Sequence, residues 1–166
     1  LLNGVDWLTL RGMTLEASGT SFSRVISMIG GVNHLRLENN VIRSSSTTST
    51  STNRSLVYFT TNTVNEFLHV SHNVFQNGSG GLYFNGPTNN NNYLAGLEVL
   101  DNEFVNQYAF GMYLVYHTGA LIDGNRFEVG GTYNSYRGIH QFRNYGSPRI
   151  TTNQMYHPFG FRGIQL

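Results

Sequence analysis

Neither cysteine nor lysine occurs in this chain. The first absence removes disulfides, thiolate metal ligands and thiol nucleophiles. The second makes every basic residue an arginine, and ten of them against nine acids leave a formal charge of +1. So balanced a chain has no field to gather nucleic acid or an anionic membrane surface, and neither partner is expected. Charged residues are few, 11 % of the total. Apolar runs are short, so no membrane insertion is expected. Other absences narrow the chemistry: no nucleophile elbow, no phosphate-binding glycine loop, and no glycine-aspartate calcium repeat. His69 and His72 straddle a bend, and Asp101 and Asp123 are too few for a calcium cage. No metal and no cofactor are therefore expected.

What is present is repetition. The stretch Leu35 to Ile42, LRLENNVI, reads Leu-x-Leu-x-x-Asn-x-Ile and returns in copies ending at Phe75, Phe104, Phe127 and Met155, with a first copy at Leu8 to Leu15. Aligning the copies on Met13, Asn40, Asn73, Asn102, Asn125 and Asn153 gives spacings of 27, 33, 29, 23 and 28. Two residues after this column stand Leu15, Ile42, Phe75, Phe104, Phe127 and Met155, and three before it Leu10, Leu37, Val70, Val99, Ile122 and Ile150. Alternation of period two is a strand signal. A second strand follows in each copy, at Val25 to Met28, Leu56 to Phe59, Gly81 to Phe84, Gly111 to Leu114, Gly138 to Phe142 and Gly163 to Leu166.

Six short units of this kind cannot each bury a core alone, so they must stack. The fold class expected is all-β, a parallel β-helix (solenoid) of about six coils of roughly 28 residues. Inward asparagine at a turn is costly unless bonded, and stacked amides bond along a ladder. Asn40, Asn73, Asn102, Asn125 and Asn153 are assigned to such an Asn ladder, with Met13 closing its first rung. Residues 1–166 are expected to form a single β-helix domain, a segment of a longer protein lacking its polar caps. Ser44 to Thr52 and Asn89 to Asn92 carry no apolar period and are expected to project as mobile loops.

Outward residues of stacked strands form rows, and rows are where ligands meet a solenoid. On the first strand the outward sets are Trp7/Thr9/Arg11, His34/Arg36/Glu38, Phe67/His69/Ser71, Gly96/Glu98/Leu100, Gly119/Leu121/Asp123 and Ser147/Arg149/Thr151. His69 falls between Arg36 and Glu98, about 4.8 Å from each: a cation, an imidazole and a carboxylate that can recognise a sugar acid or move a proton. They are the weak catalytic candidates. On the second strand Tyr58, Tyr83 and Tyr113 stack into an aromatic strip that continues to His140. These four, with Trp7 and His34, are the candidate glycan-binding residues.

With its Asn column, its Gly-Ile-x-Leu second strands and its coil length, the chain resembles the right-handed parallel β-helix proteins of the pectate-lyase-like superfamily. That resemblance implies right-handed coils, a third sheet per coil and a secreted protein. It implies no activity by itself, because polysaccharide lyases, glycoside hydrolases, epimerases, tailspikes and bacterial surface proteins share the fold. The acid clusters of the enzyme families have no counterpart here, and the polar loops look more like those of bacterial cell-surface members. The function expected is a non-catalytic extracellular segment that presents ladders and loops for adhesion or contact with a polysaccharide or cell-surface glycan, alongside flanking domains. The alternative is part of a polysaccharide-active enzyme (lyase, epimerase or glycoside hydrolase) acting on a uronide-type glycan.

Overall fold

The computed structural model describes residues 1–60, 64–88, 93–157 and 162–166. They form a parallel β-solenoid with three long sheets and no α-helix among the described residues. Sheet I has seven strands: Leu2–Asp6, Ile26–Asn33, Ser55–Phe59, Gly80–Asn85, Phe110–Val115, Arg137–Phe142 and Arg162–Gln165. Sheet II has six: Thr9–Arg11, Arg36–Glu38, His69–Ser71, Glu98–Leu100, Leu121–Asp123 and Arg149–Thr151. Sheet III has six: Thr14–Ala17, Val41–Ser44, Val74–Gln76, Glu103–Val105, Arg126–Glu128 and Gln154–Tyr156. In each sheet every strand pairs in parallel with its counterpart in the next coil, so the chain winds from sheet I to II to III and climbs one rung per turn. A fourth, two-stranded sheet, Leu94–Ala95 with His117–Thr118, lies on the connection from sheet I to sheet II.

The eight-residue phrase is therefore two strands and a bend, not one strand and a turn. Its apolar positions three before and two after the Asn lie five residues apart, an odd step that no single strand can place on one face. The bend is made by the residue just before the Asn. Gly12, Asn39, His72, Asp101, Gly124 and Thr152 all hold φ between 48° and 65°. Left-handed backbone is cheap for Gly and tolerable for Asn and Asp, but costly for a β-branched Thr. The hydrogen bonds of the Asn that follows hold the shape at the five rungs after the first.

Those bonds form one continuous pattern. Asn73 Nδ2 donates to Asn102 Oδ1 (3.0 Å) and to Leu37 O of the preceding coil (2.7 Å), while its backbone N–H donates to Asn102 Oδ1 (2.9 Å). The same set recurs from Asn40 to Asn73, from Asn102 to Asn125 and from Asn125 to Asn153. At the first rung the Met13 backbone N–H donates to Asn40 Oδ1, a bond that needs no polar side chain. Asn40, Asn73, Asn102 and Asn125 are fully buried.

Three apolar columns meet inside the ladder. Leu37, Val70, Val99 and Ile122 come from sheet II, Ile42, Phe75, Phe104 and Phe127 from sheet III, and Val57, Leu82, Met112 and Ile139 from sheet I. The phenylalanines stack coil on coil, with 4.8 Å between ring centroids and near-parallel planes. This column explains the glycines that open the second strands. A Cβ at Gly111 would lie 2.4 Å from the Phe127 ring and 2.6 Å from Gly138 O, and one at Gly81 would lie 2.6 Å from the Phe104 ring. Gly111→Ala should therefore destabilise by about 1–3 kcal/mol, the range for overpacking, although alanine suits a strand better than glycine does. Urea unfolding of Gly111→Ala against Gly111→Ala/Phe127→Leu checks this: the smaller side chain should restore part of the loss, and the Gly138 carbonyl should keep the rest.

The serine–threonine stretch does not project. Ser79 Oγ donates to Ser51 O (2.7 Å), Asn77 Nδ2 donates to Ser44 O (3.0 Å), and Arg54 donates to Ser46 O and Thr20 O. Within the stretch, Thr47 Oγ1 and Ser49 Oγ accept from backbone N–H groups two residues on. Side-chain hydroxyls thus replace the apolar contacts that the stretch lacks. Asn89 to Asn92 lie outside the described residues.

Candidate functional site

The connection from sheet I to sheet II turns through a second left-handed corner. Trp7, His34, Phe67, Gly96, Gly119 and Ser147 hold φ between 54° and 70°. The sequence pattern places these residues on the strand; the structure places them one step earlier, at its corner. There the side chains stack along the solenoid axis. Trp7 lies on His34 with centroids 3.8 Å apart, and His34 lies on Phe67 at 4.8 Å. Gly96 ends the column because a Cβ there would sit 2.5 Å from the Phe67 ring. Trp7 is 77 % exposed and Phe67 49 %, so a ridge of large rings stands at the surface.

Beside this ridge runs the charged row. Register pairs Arg36 with His69 and His69 with Glu98, as the spacing predicts. The side chains then organise around a fourth group that the row did not include, Glu38. Arg36 Nε donates to Glu38 Oε1 at 2.6 Å. His69 Nδ1 lies 2.8 Å from Glu98 Oε2, and its Nε2 lies 3.9 Å from Glu38 Oε1. The Arg36 hydrogen bond holds the Glu38 carboxyl below the usual carboxylate range, against the opposing pull of burial. Glu38 was legible in principle, since it stands two residues after Arg36 on the same outward face. Trp7, His34, Arg36, Phe67, His69, Gly96 and Glu98 together line a shallow groove of about 250 Å³. Chemically this groove offers ring surface on one side and a hydrogen-bonding row on the other. Its arginine is already paired, and two carboxylates flank one imidazole, so it holds no surplus positive charge.

The tyrosine strip lies on sheet I, away from this groove. Tyr58 pairs with Tyr83, Tyr83 with Tyr113 and Tyr113 with His140. Ring centroids are 5.2 and 4.8 Å apart along the three tyrosines, with planes within 10° of parallel. Because the rings cover one another, they turn edges and hydroxyls outward. Both end faces are taken as well. The Arg24 guanidinium sits 3.4 Å from the Tyr58 centroid, held by Thr52 O and Asn53 Oδ1, and His140 meets Tyr113 edge-on at 4.8 Å. Burial raises the Tyr83 hydroxyl above its ordinary range and lowers His140, with Arg137 and Arg162 adding to the latter. Arg24 comes from a loop with no periodicity, so no sequence signal points to it. The structure thus keeps Trp7 and His34 with the Arg36–His69–Glu98 row and sets Tyr58, Tyr83, Tyr113 and His140 apart on another sheet.

Remaining candidates are dispersed. His72 turns outward at the Asn corner, with Nε2 3.8 Å from Asp101 Oδ2 and both side chains well exposed. Asp123 is occupied by the hydroxyls of Thr151 and Thr152, which hold its carboxyl below the usual range. Among the described residues no group of three or more His, Asp or Glu is placed to hold a metal ion. Comparison with protein-family models, with curated proteins and with solved structures finds no match to this chain.

Proposed function

We propose that this chain is a non-catalytic segment of a secreted or cell-surface protein, and that its outer ladders contact glycans. Its coil pattern resembles that of the pectate-lyase-like β-helices, whose secreted members include surface proteins. One observation carries the reading: the Trp7–His34–Phe67 ridge shares a groove with Arg36, His69 and Glu98. Aromatic surface beside a row of donors and acceptors is the pairing that suits a pyranose, apolar on its C–H face and polar at its rim. The charge of the row sets the class. With Arg36 spent on Glu38, a uronate gains no free cation, so neutral and amino sugars are favoured over uronic acids.

A glycan array spanning neutral, amino and uronic oligosaccharides tests this. Binding to neutral or amino sugars is expected, and Trp7→Ala should weaken it about tenfold, the size of one lost aromatic contact. Trp7 is exposed, so the substitution leaves the core untouched. Absence of binding to every glycan, or affinity unchanged in both Trp7→Ala and Phe67→Ala, would overturn the reading.

One geometry favours the enzymatic alternative. The Glu98–His69 pair, at 2.8 Å, is the arrangement in which a carboxylate orients an imidazole as a general base. In a uronide lyase that base would take the proton alpha to the carboxylate, and the electrons would form a double bond as the glycosidic oxygen leaves. Arg36 would have to neutralise the enolate, and its bond to Glu38 argues against that. Turnover of oligouronides by the parent protein, lost in His69→Ala, would establish the enzyme and displace the binding role.

A further inference from the structure

We propose a second, uncharged sugar site at a different corner of the solenoid, between the serine–threonine stretch and the turns that follow sheet III. Ser46, Thr47, Asn106, Tyr108, Gly130 and Gly131 line a groove of about 420 Å³ there. That volume lies inside the range of small-ligand pockets, roughly 300–1,000 Å³, and exceeds that of the ridge groove. The site exists because the second coil is long. Ser44 to Thr52 runs along the solenoid, fastened by Asn77, Ser79 and Arg54, and brings Ser46 and Thr47 up to turns two and three coils further on.

The lining specifies the ligand. None of the six residues is charged, so nothing in the groove selects an anion or a cation. Hydroxyls of Ser46 and Tyr108 both donate and accept, that of Thr47, whose Oγ1 already accepts from the Ser49 N–H, is left to donate, and Asn106 adds an amide. Asn106 Oδ1 is committed to the Gly130 N–H (3.1 Å), which leaves its exposed Nδ2 to donate outward. Tyr108 contributes ring surface, and Tyr133 stacks on it at 5.0 Å, which fixes the ring without entering the groove. Gly130 and Gly131 let a ligand approach the backbone; at Gly131 an added Cβ would find its nearest neighbour 3.9 Å away. A ring that is rich in hydroxyl groups and carries no charge answers all of these features, and the site is assigned to a neutral hexopyranose of a glycan.

Gly131 also supplies the test. Its backbone is not left-handed and its surroundings are open, so Gly131→Leu fills the groove without disturbing the core. The Gly130 and Gly131 amide signals are followed by two-dimensional ¹⁵N NMR during titration with maltotriose, cellotriose, chitotriose and trigalacturonate. Saturable shifts with at least one of the neutral or N-acetylated trisaccharides are expected, and none with trigalacturonate. Gly131→Leu should abolish them, and Tyr108→Ala should weaken affinity about tenfold or more. Trp7→Ala should leave these shifts intact, so failure here and failure at the ridge groove are read separately. No shift with any neutral sugar, shifts with trigalacturonate alone, or shifts that persist in both Gly131→Leu and Tyr108→Ala would overturn the proposal.

Discussion

Asn102→Leu should lower the free energy of unfolding by about 4 kcal/mol, near the top of the range for single substitutions. The change conserves size, so the cost is almost wholly that of hydrogen bonds. Asn102 Oδ1 accepts from both the backbone N–H and Nδ2 of Asn73, and Asn102 Nδ2 donates to Val70 O, Leu100 O and Asn125 Oδ1. Leucine leaves the Asn73 backbone N–H without its acceptor in a site that water does not reach. One orphaned buried group costs about 1–3 kcal/mol, and each lost bond around it adds of the order of 1 kcal/mol. Asn153→Leu, at a half-exposed rung, should cost only about 1 kcal/mol because water can replace its partners. Urea midpoints of the two variants, at unchanged m-value, decide between a ladder that bears stability and one that merely accompanies the fold. Equal and small losses would place the stability in the apolar columns instead.

The same ladder explains which parts of the molecule the sequence made readable. An amide that must bond upward and downward tolerates no substitute at an interior rung, so its column stands out wherever coil length varies from 23 to 33 residues. Apolar columns are as strict, and each expected second strand falls within its sheet I strand to within a residue or so. Sheet III stayed hidden because the left-handed residue between its strands and those of sheet II is set by backbone shape, and Gly, Asn, His, Asp and Thr all occupy it. The strand Leu2–Asp6 was missed for another reason: Asn3 and Gly4 interrupt its alternation where it shifts register against Ile26–Asn33. At the surface, the row Arg36–His69–Glu98 follows from register alone. The turn of Arg36 toward Glu38 does not, because it depends on side-chain rotamers. Nor does the isolated amide Gln107, buried and donating to Phe75 O and Val105 O, which no repeated column announces.

Acid should weaken the fold well before the carboxylates titrate, through His117. Its ring is fully buried beside Phe59, with centroids 6.2 Å apart, and the polar group that reaches it is the Phe84 backbone, without a well-aligned hydrogen bond to either ring nitrogen. Burial lowers its pKa from the ordinary 6.5 to about 4, with the nearby Phe84 backbone opposing weakly. The folded state thus keeps the ring neutral while the unfolded chain binds a proton below pH 6.5. Stability from this residue is complete above that pH, falls as the pH drops toward 4, and is then lost, a change of about 3 kcal/mol at 1.36 kcal/mol per pH unit. His140 and His157, lowered less and only partly buried, add smaller contributions of the same sign. Glu38 and Asp123, whose pKa values are lowered, keep their contribution above the ordinary carboxylate range and lose it only in stronger acid. Thermal unfolding of the parent and of His117→Leu between pH 7 and pH 4.5 separates the terms. Leucine removes a buried imidazole whose contact with the Phe84 backbone is poorly aligned, so the variant should stay close to the parent in stability at pH 7. It should also lose most of the slope between pH 6.5 and 4.5. An unchanged slope would mean that water or a rearranged neighbour reaches the imidazole, and that the small sheet that carries it opens in solution.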